Sequence, residues 1–303
     1  TNNSLATATA FSAYAVYEVT WAGLAITPGI RTELVHTTLD DDLAGTSANR
    51  TDNTWAPGIG AFYSITDHLG VLAGVYEGFS PVAPGQPDAI QPEQSTNYEG
   101  GARFRHGDTS AEVIGFFSDY SNLSGDCSFS AGCSEDMLLD QFNGGAVHVY
   151  GLEALLGHTF EVRDVSFPAR LTYTLTQSSF RSSFSSADPQ WGDVDKGDSL
   201  PYVPEHQGSL SLGISRPMWN VVVSTTYVGE MWEMAGQGDP APGEATDDYF
   251  MVDVVANHTV FDRGQVYLRI DNLLSADPIV SRRPFGARPS KPLLAQVGFK
   301  YTY

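Results

Sequence analysis

The sequence predicts an all-β chain, built as an antiparallel transmembrane β-barrel or a large part of one. Three observations predict it. Apolar and polar residues alternate with period two over runs of about ten residues, the length a tilted membrane strand needs. The breaks between runs are alternately short and long. The last run ends on an unbroken apolar and aromatic face.

The first run places Phe11, Ala13, Ala15, Tyr17, Val19 and Trp21 on one face and Ser12, Tyr14, Val16, Glu18 and Thr20 on the other. A second places Phe167, Ala169, Leu171, Tyr173 and Leu175 opposite Pro168, Arg170, Thr172, Thr174 and Thr176. A third sets Trp219, Val221, Val223, Thr225 and Tyr227 against Asn220, Val222, Ser224, Thr226 and Val228. About thirteen strands are expected, near 8–20, 23–36, 55–66, 70–79, 96–105, 110–120, 144–160, 165–177, 205–215, 219–231, 248–260, 265–273 and 292–303. Long breaks are expected at 37–54, 80–95, 121–143, 178–204, 232–247 and 274–291. A sandwich has no reason to gather every long loop at one end, whereas an outer-membrane barrel pairs tight periplasmic turns with long extracellular loops. Acidic residues follow the same division, with Asp40, Asp41, Asp42 and Asp52 in the first long break and Glu233, Asp239, Glu244, Asp247 and Asp248 in the fifth. In the last run Leu293, Ala295, Val297, Phe299, Tyr301 and Tyr303 share one face, while Gln296, Lys300 and Thr302 take the other. A lipid-facing strand uses terminal aromatics as interfacial anchors.

Composition removes several function classes. The 303 residues carry a net charge of −20, and such a chain repels phosphate backbones, so nucleic acid is not an expected partner. No run of about 18 apolar residues offers a membrane helix. The mean hydropathy of −0.17 fits a barrel as well as a soluble protein, because the strands alternate. The two cysteines, Cys127 and Cys133, are too few to close a zinc site and are expected to form a disulfide at a loop tip. A disulfide implies an oxidising compartment.

Catalytic signatures are missing: the sequence has no Gly-x-Ser-x-Gly, no His-Glu-x-x-His and no P-loop. Gly58-Ile-Gly60 lacks the third glycine of a dinucleotide fingerprint. The segment from Asp193 to Asp198 has the look of a calcium loop, but Pro204 stands where an EF-hand needs Glu. No enzyme activity, cofactor or metal is therefore expected. With a periplasmic C-terminus, the last strand and the first both run inward, so the chain would begin on the outer side. An odd set of strands does not close as a bacterial barrel. The expectation is a single unit, 1–303, that forms the C-terminal part of something larger.

Five stretches, in order, resemble TonB-dependent outer-membrane receptors. They are Gly78-Phe-Ser-Pro81 with Pro92-Glu-Gln-Ser-Thr-Asn-Tyr-Glu-Gly-Gly-Ala-Arg103; Val149-Tyr-Gly-Leu-Glu153; Leu200-Pro-Tyr-Val-Pro-Glu-His206; Ile270-Asp-Asn-Leu-Leu274; and the terminal strand, Val297 to Tyr303. The segment from Ser281 to Pro289 is similar to the one before the last strand in ferric-citrate and siderophore receptors, although Ser290-Lys-Pro-Leu293 departs from the family's Gly-x-Pro-Arg. The resemblance implies a 22-stranded barrel around an N-terminal plug that contacts TonB, with the plug and first strands lying outside this chain. It implies outer-membrane uptake of a ferric chelate, with lipid and lipopolysaccharide as surroundings. A receptor for cobalamin or an oligosaccharide, and a secreted all-β adhesin or binding module, remain the alternatives. An adhesin would bury its apolar rows against a second layer.

Ferric chelates of hydroxycarboxylates are anionic, and arginine grips carboxylates bidentately. Arg282, Arg283 and Arg288 are therefore the candidate ligand-binding residues at the mouth, or else they bridge acidic neighbours or lipopolysaccharide phosphates. Arg170, Arg269, Asp253 and Asn257 are expected on the inner wall, as channel lining, as partners of a plug, or as a structural network.

Overall fold

A computed structural model describes residues 3–138, 140–283 and 285–302. Thirteen strands form one unbroken antiparallel path: β1 (Ser4–Val16), β2 (Leu24–Asp41), β3 (Thr46–Ser64), β4 (Leu69–Ser80), β5 (Glu93–His106), β6 (Thr109–Ser121), β7 (Val147–Val162), β8 (Val165–Phe180), β9 (His206–Arg216), β10 (Trp219–Val228), β11 (Tyr249–Phe261), β12 (Gly264–Asp271) and β13 (Leu294–Tyr301). Each pairs with its sequence neighbours, and the sheet is part of a barrel rather than a closed one. No α-helix occurs among the described residues.

The alternation decides which way each face looks. Leu156, Leu171 and Leu210 are lateral neighbours on β7, β8 and β9, and they are 49%, 46% and 40% exposed. A row of exposed leucines is costly in water and favourable against lipid tails. On the opposite face the hydroxyls of Thr172 and Ser209 are 2.7 Å apart and those of Ser211 and Ser224 are 2.9 Å apart, a wall of paired polar groups. No second layer covers the apolar rows among the described residues, and the secreted-module alternative loses the burial it needs.

Aromatic side chains mark the two edges of the apolar band. Tyr98, Phe117 and Tyr150 stand side by side on β5, β6 and β7, and Tyr227 meets Phe250 at 4.7 Å between ring centroids. At the turn end Phe261 packs beside Phe299 and Tyr301, 5.9 and 6.2 Å between centroids. Along β7 the aromatics Tyr150 and Phe160 are ten steps apart. At ~3.3 Å per residue and a tilt of ~40°, that separation spans ~25 Å, the height of a barrel's lipid band.

Two expected boundaries move. The break expected at 37–54 is mostly sheet: β2 and β3 stay paired from Thr37↔Arg50 out to Asp41↔Thr46, and only residues 42–45 turn. The reason is that a backbone ladder needs no apolar side chains, so a hairpin standing above the lipid reads as loop in the sequence. The first strand, expected over 8–20, is instead β1 followed by a short strand, Val19–Trp21, that pairs with Leu24–Ile26 in the same register. The interruption falls where Tyr17 faces Pro28. Tyr17 donates its N–H to the Pro28 carbonyl at 3.1 Å, but proline has no N–H to return.

The remaining connections follow the expected division. Residues 65–68, 107–108, 163–164, 217–218 and 262–263 are tight turns at one end. Residues 81–92, 122–146, 181–205, 229–248 and 272–293 are long loops at the other. Tyr303, placed on the lipid face from the sequence, lies outside the described residues.

Candidate functional site

The two buried hydrophobic clusters among the described residues gather where the long loops meet the loop-side ends of the strands. Val147, Phe180, Trp191 and Val194 form one buried cluster, and Cys127, Ala131 and Cys133 form a second; Phe142 packs against both. Ala235 packs against the first cluster as well, so the loops at 122–146, 181–205 and 229–248 join in a cap at the barrel's outer end.

The disulfide expected between Cys127 and Cys133 is formed, with the Cα atoms 5.7 Å apart. Inside it, Ser128 Oγ accepts from the Ala131 N–H at 3.2 Å, and Gly132 turns the chain at φ 88°, a region that glycine enters without a Cβ clash. The bridge also fixes the Ala131 carbonyl, which accepts from Arg283 Nη1 at 3.2 Å across 152 residues of chain. Arg283 Nε lies 3.2 Å from Glu233 Oε1, an ion pair in which both side chains are largely buried (14% and 19% exposed). Arg283 thus ties together the loops at 122–146, 229–248 and 272–293.

Asp188 stands close enough to feel Arg283 and is 2% exposed. Its Oδ1 accepts from the Gln190 N–H at 2.9 Å. Burial pushes its carboxyl above the usual carboxylate range, Asp126 adds to that rise, and the Gln190 bond and Arg283 hold it partly back. Arg282 is spent locally: its Nε donates to the Ala245 carbonyl at 2.5 Å and its backbone N–H to Tyr202 Oη at 3.3 Å. Arg288 is exposed and donates from Nη2 to Ser281 Oγ at 2.9 Å. The three arginines therefore share one loop without converging on one point. Arg282 and Arg283 anchor that loop, and Arg288 projects from it.

On the inner wall Asn257 donates to Asn220 Oδ1 at 2.9 Å, and Arg269 grips Asp271 through Nε and Nη2 at 2.9–3.1 Å. Lys291 sits 2.9 Å from Asp271 and 3.2 Å from Asp253, and Asp271 holds its ammonium above the usual lysine range. The basic residue displaced from the Gly-x-Pro-Arg pattern is thus absorbed by two wall carboxylates. Arg170 lies on the inner face of β8 between Gly157 and Ser211. In the segment from Asp193 to Asp198, Asp198 accepts from the Asp195 N–H at 2.8 Å and from Gln237 Nε2 at 2.8 Å, which makes it a turn brace. Among the described residues no three His, Cys, Asp or Glu side chains gather as a metal site.

Sequence reasoning missed two residues that organise the cap. Asn272 is fully buried, donates to the Ala276 and Lys291 carbonyls at 2.7 and 2.8 Å and accepts from the Ala276 N–H at 3.0 Å. Its place beside Asp271 in the fourth matching stretch was a signal of position, not of burial. Asp188 lies in the fourth long break, where its neighbours in the chain carry no sign of burial.

The profile of the TonB-dependent receptor-like β-barrel matches residues 1–273. This chain belongs to that family. The TonB-dependent receptor family consists of transporters, not enzymes. Solved structures with the same fold include the ferric-catecholate import receptor Fiu of E. coli K12, at 17% identity and a TM-score of 0.76 over 99% of this chain. They also include the ferric citrate transporter FecA, at 18% identity and 0.76 over 99%, and the copper transporter OprC, at 11% and 0.72 over 98%. The TonB-dependent receptor chain described here spans just under half the length of these structures, 45%, 46% and 48%.

Proposed function

We propose that this chain is the C-terminal barrel portion, 1–303, of a bacterial outer-membrane receptor that imports a ferric chelate, an iron-citrate or siderophore complex, at the expense of energy delivered through TonB. The first barrel strands and a plug that meets TonB would come from outside this chain. One observation carries the reading: a wall with one lipid face and one polar face is roofed at its loop end by a cap held rigid by a disulfide and Arg283. A preformed cap offers a fixed recognition surface, whereas a chelate meeting loose loops would have to order them first. Family membership and the likeness to receptors for ferric catecholates and ferric citrate support the same class. The likeness to a copper transporter leaves the metal to be decided by assay.

Within this reading Arg288 is the side chain that meets the anionic chelate, while Arg282 and Arg283 hold the loop that presents it. Cells lacking the gene should lose uptake of ⁵⁵Fe-citrate or of one ferric siderophore, and the wild-type gene should restore it. An Arg288→Ala gene should restore transport with an apparent KM raised about tenfold. Unchanged iron uptake, with loss of copper or cobalamin uptake instead, would overturn the ferric assignment.

A further inference from the structure

A cavity of about 690 Å³ opens on the outward face of the wall, at the level of the upper aromatic belt. It exists because the sheet's pairing lapses there. The ladder between β8 and β9 ends at Leu175↔His206, and β8 runs on to Phe180 with β7 on one side and, on the other, only the loop at 181–205, through the Thr176 N–H to the Glu205 carbonyl and the Phe180 N–H to the Asp198 carbonyl, both 2.9 Å. The loop at 229–248 overhangs the notch. Tyr150 and Gln177 are lateral partners on β7 and β8, and they share the face of Leu152 and Leu175, as does Tyr227 with Val223 on β10. Tyr150, Gln177 and Tyr227 thus open the cavity on the outward face, while Thr176 and Ser178 of the opposite face border it where the β8–β9 ladder ends.

Its lining is distinctive. Tyr150, Tyr227 and Trp232 supply flat aromatic surface; Glu205, Glu230 and Asp248 supply acceptors. Two bonds set its floor: Gln177 Nε2 donates to Glu205 Oε1 at 2.9 Å, and Tyr173 Oη lies 2.8 Å from His206 Nδ1. No lysine or arginine lines it among the described residues, so phosphates and carboxylates are repelled. No three of its acids gather as a metal site among the described residues, and its polar walls do not suit an acyl chain. A neutral, hydroxyl-rich ring system remains. Carboxylates accept charge-assisted bonds from hydroxyls, aromatic faces cover the C–H face of a sugar ring, and the volume falls in the range of small-molecule sites.

We infer that this notch is a binding site for a neutral saccharide, presented by a membrane glycolipid or arriving as a free oligosaccharide. The site stands apart from the ferric reading and does not depend on it.

The test uses the protein expressed from its own gene and purified in a polyoxyethylene detergent, which carries no sugar headgroup. Maltoheptaose is the free probe, and digalactosyl diacylglycerol in nanodiscs is the lipid-borne one. Binding is followed by tryptophan fluorescence and by saturation-transfer NMR. Saturable binding of either probe is expected, weakened at least tenfold by Tyr227→Ala and about threefold or more by the conservative Glu230→Gln. Tyr98→Ala, in the belt but away from the notch, should change nothing. Binding of maltoheptaose indicates a soluble glycan; binding of the galactolipid alone indicates a membrane source. Failure of both probes to bind, equal binding of dextran sulfate, or indifference to both notch variants would overturn the inference.

Discussion

Replacing Arg283 by methionine keeps most of the side chain's length and removes its charge, and the cap should loosen as a unit. Three interactions respond. The hydrogen bond to the Ala131 carbonyl at 3.2 Å disappears, the ion pair with Glu233 is broken, and Asp188 loses a cation that favours its ionised form. A hydrogen bond from a charged donor contributes about 1.5–3 kcal/mol. Removing one member of a fully buried pair costs about 3–5 kcal/mol, and this pair, at 14% and 19% exposure, falls short of full burial. Because the contributions overlap, the expected loss is about 2–4 kcal/mol of cap stability, against none for the barrel wall. Hydrogen exchange reads this directly. At about 1.4 kcal/mol per tenfold, amides of residues 127–133 should exchange from about thirty- to several-hundred-fold faster, while amides in β8 to β11 keep their protection. The pH dependence has a definite sign. Burial raises the folded pKa of Asp188, so its ionised form penalises the folded cap above the ordinary carboxylate range, and the penalty fades as pH falls. Without Arg283 that penalty grows, so the variant's deficit should be larger at pH 7 than at pH 4. A double-mutant cycle with Glu233→Gln should give a coupling of about 1–2 kcal/mol. Unchanged exchange at 127–133 in Arg283→Met would refute the view that one side chain pins three loops.

Further consequences can be checked alongside it. Asp188→Asn keeps the acceptor for the Gln190 N–H and removes a buried charge, so the cap should unfold, by Trp191 fluorescence, at an equal or higher temperature at pH 7, with the difference vanishing toward pH 4. Paired Cys127→Ser and Cys133→Ser changes reopen a loop of sequence separation 6; chain entropy puts the cost at about 2 kcal/mol, read as faster exchange in the loop at 122–146 with the barrel's thermal transition unmoved. Gly151→Ala should impair barrel assembly, measured as the folded fraction by heat-modified gel mobility, because a Cβ there drives into the Leu175 carbonyl on β8 and within 2.8 Å of the Phe116 ring. Gly60→Ala, with nothing within 4 Å of the added atom, is the neutral control.

The comparison of sequence with structure turns on where each constraint acts. Period-two alternation is a local consequence of the pleat, so the faces of β8, β10 and β13 could be read residue by residue, and the odd strand count with them. Of the wall seen between Thr172, Ser209, Ser211 and Ser224, Thr172 and Ser224 were already written in the polar positions of those runs. The hairpin from Thr37 to Arg50 was not, since above the lipid both faces are wet and the pattern that betrays a strand disappears.

The same division holds for the site. Sequence by itself determined the all-β class, the thirteen-strand path, the end at which the loops gather and the pairing of the only two cysteines, because each follows from neighbours in the chain or from simple counting. Only the tertiary structure decided that Arg282 and Arg283 anchor while Arg288 projects, that Lys291 is taken up by Asp253 and Asp271, and that Asp188 and Asn272 are buried. A loop side chain's role depends on which other loop meets it across as many as 152 residues, and no periodicity carries that information along the chain.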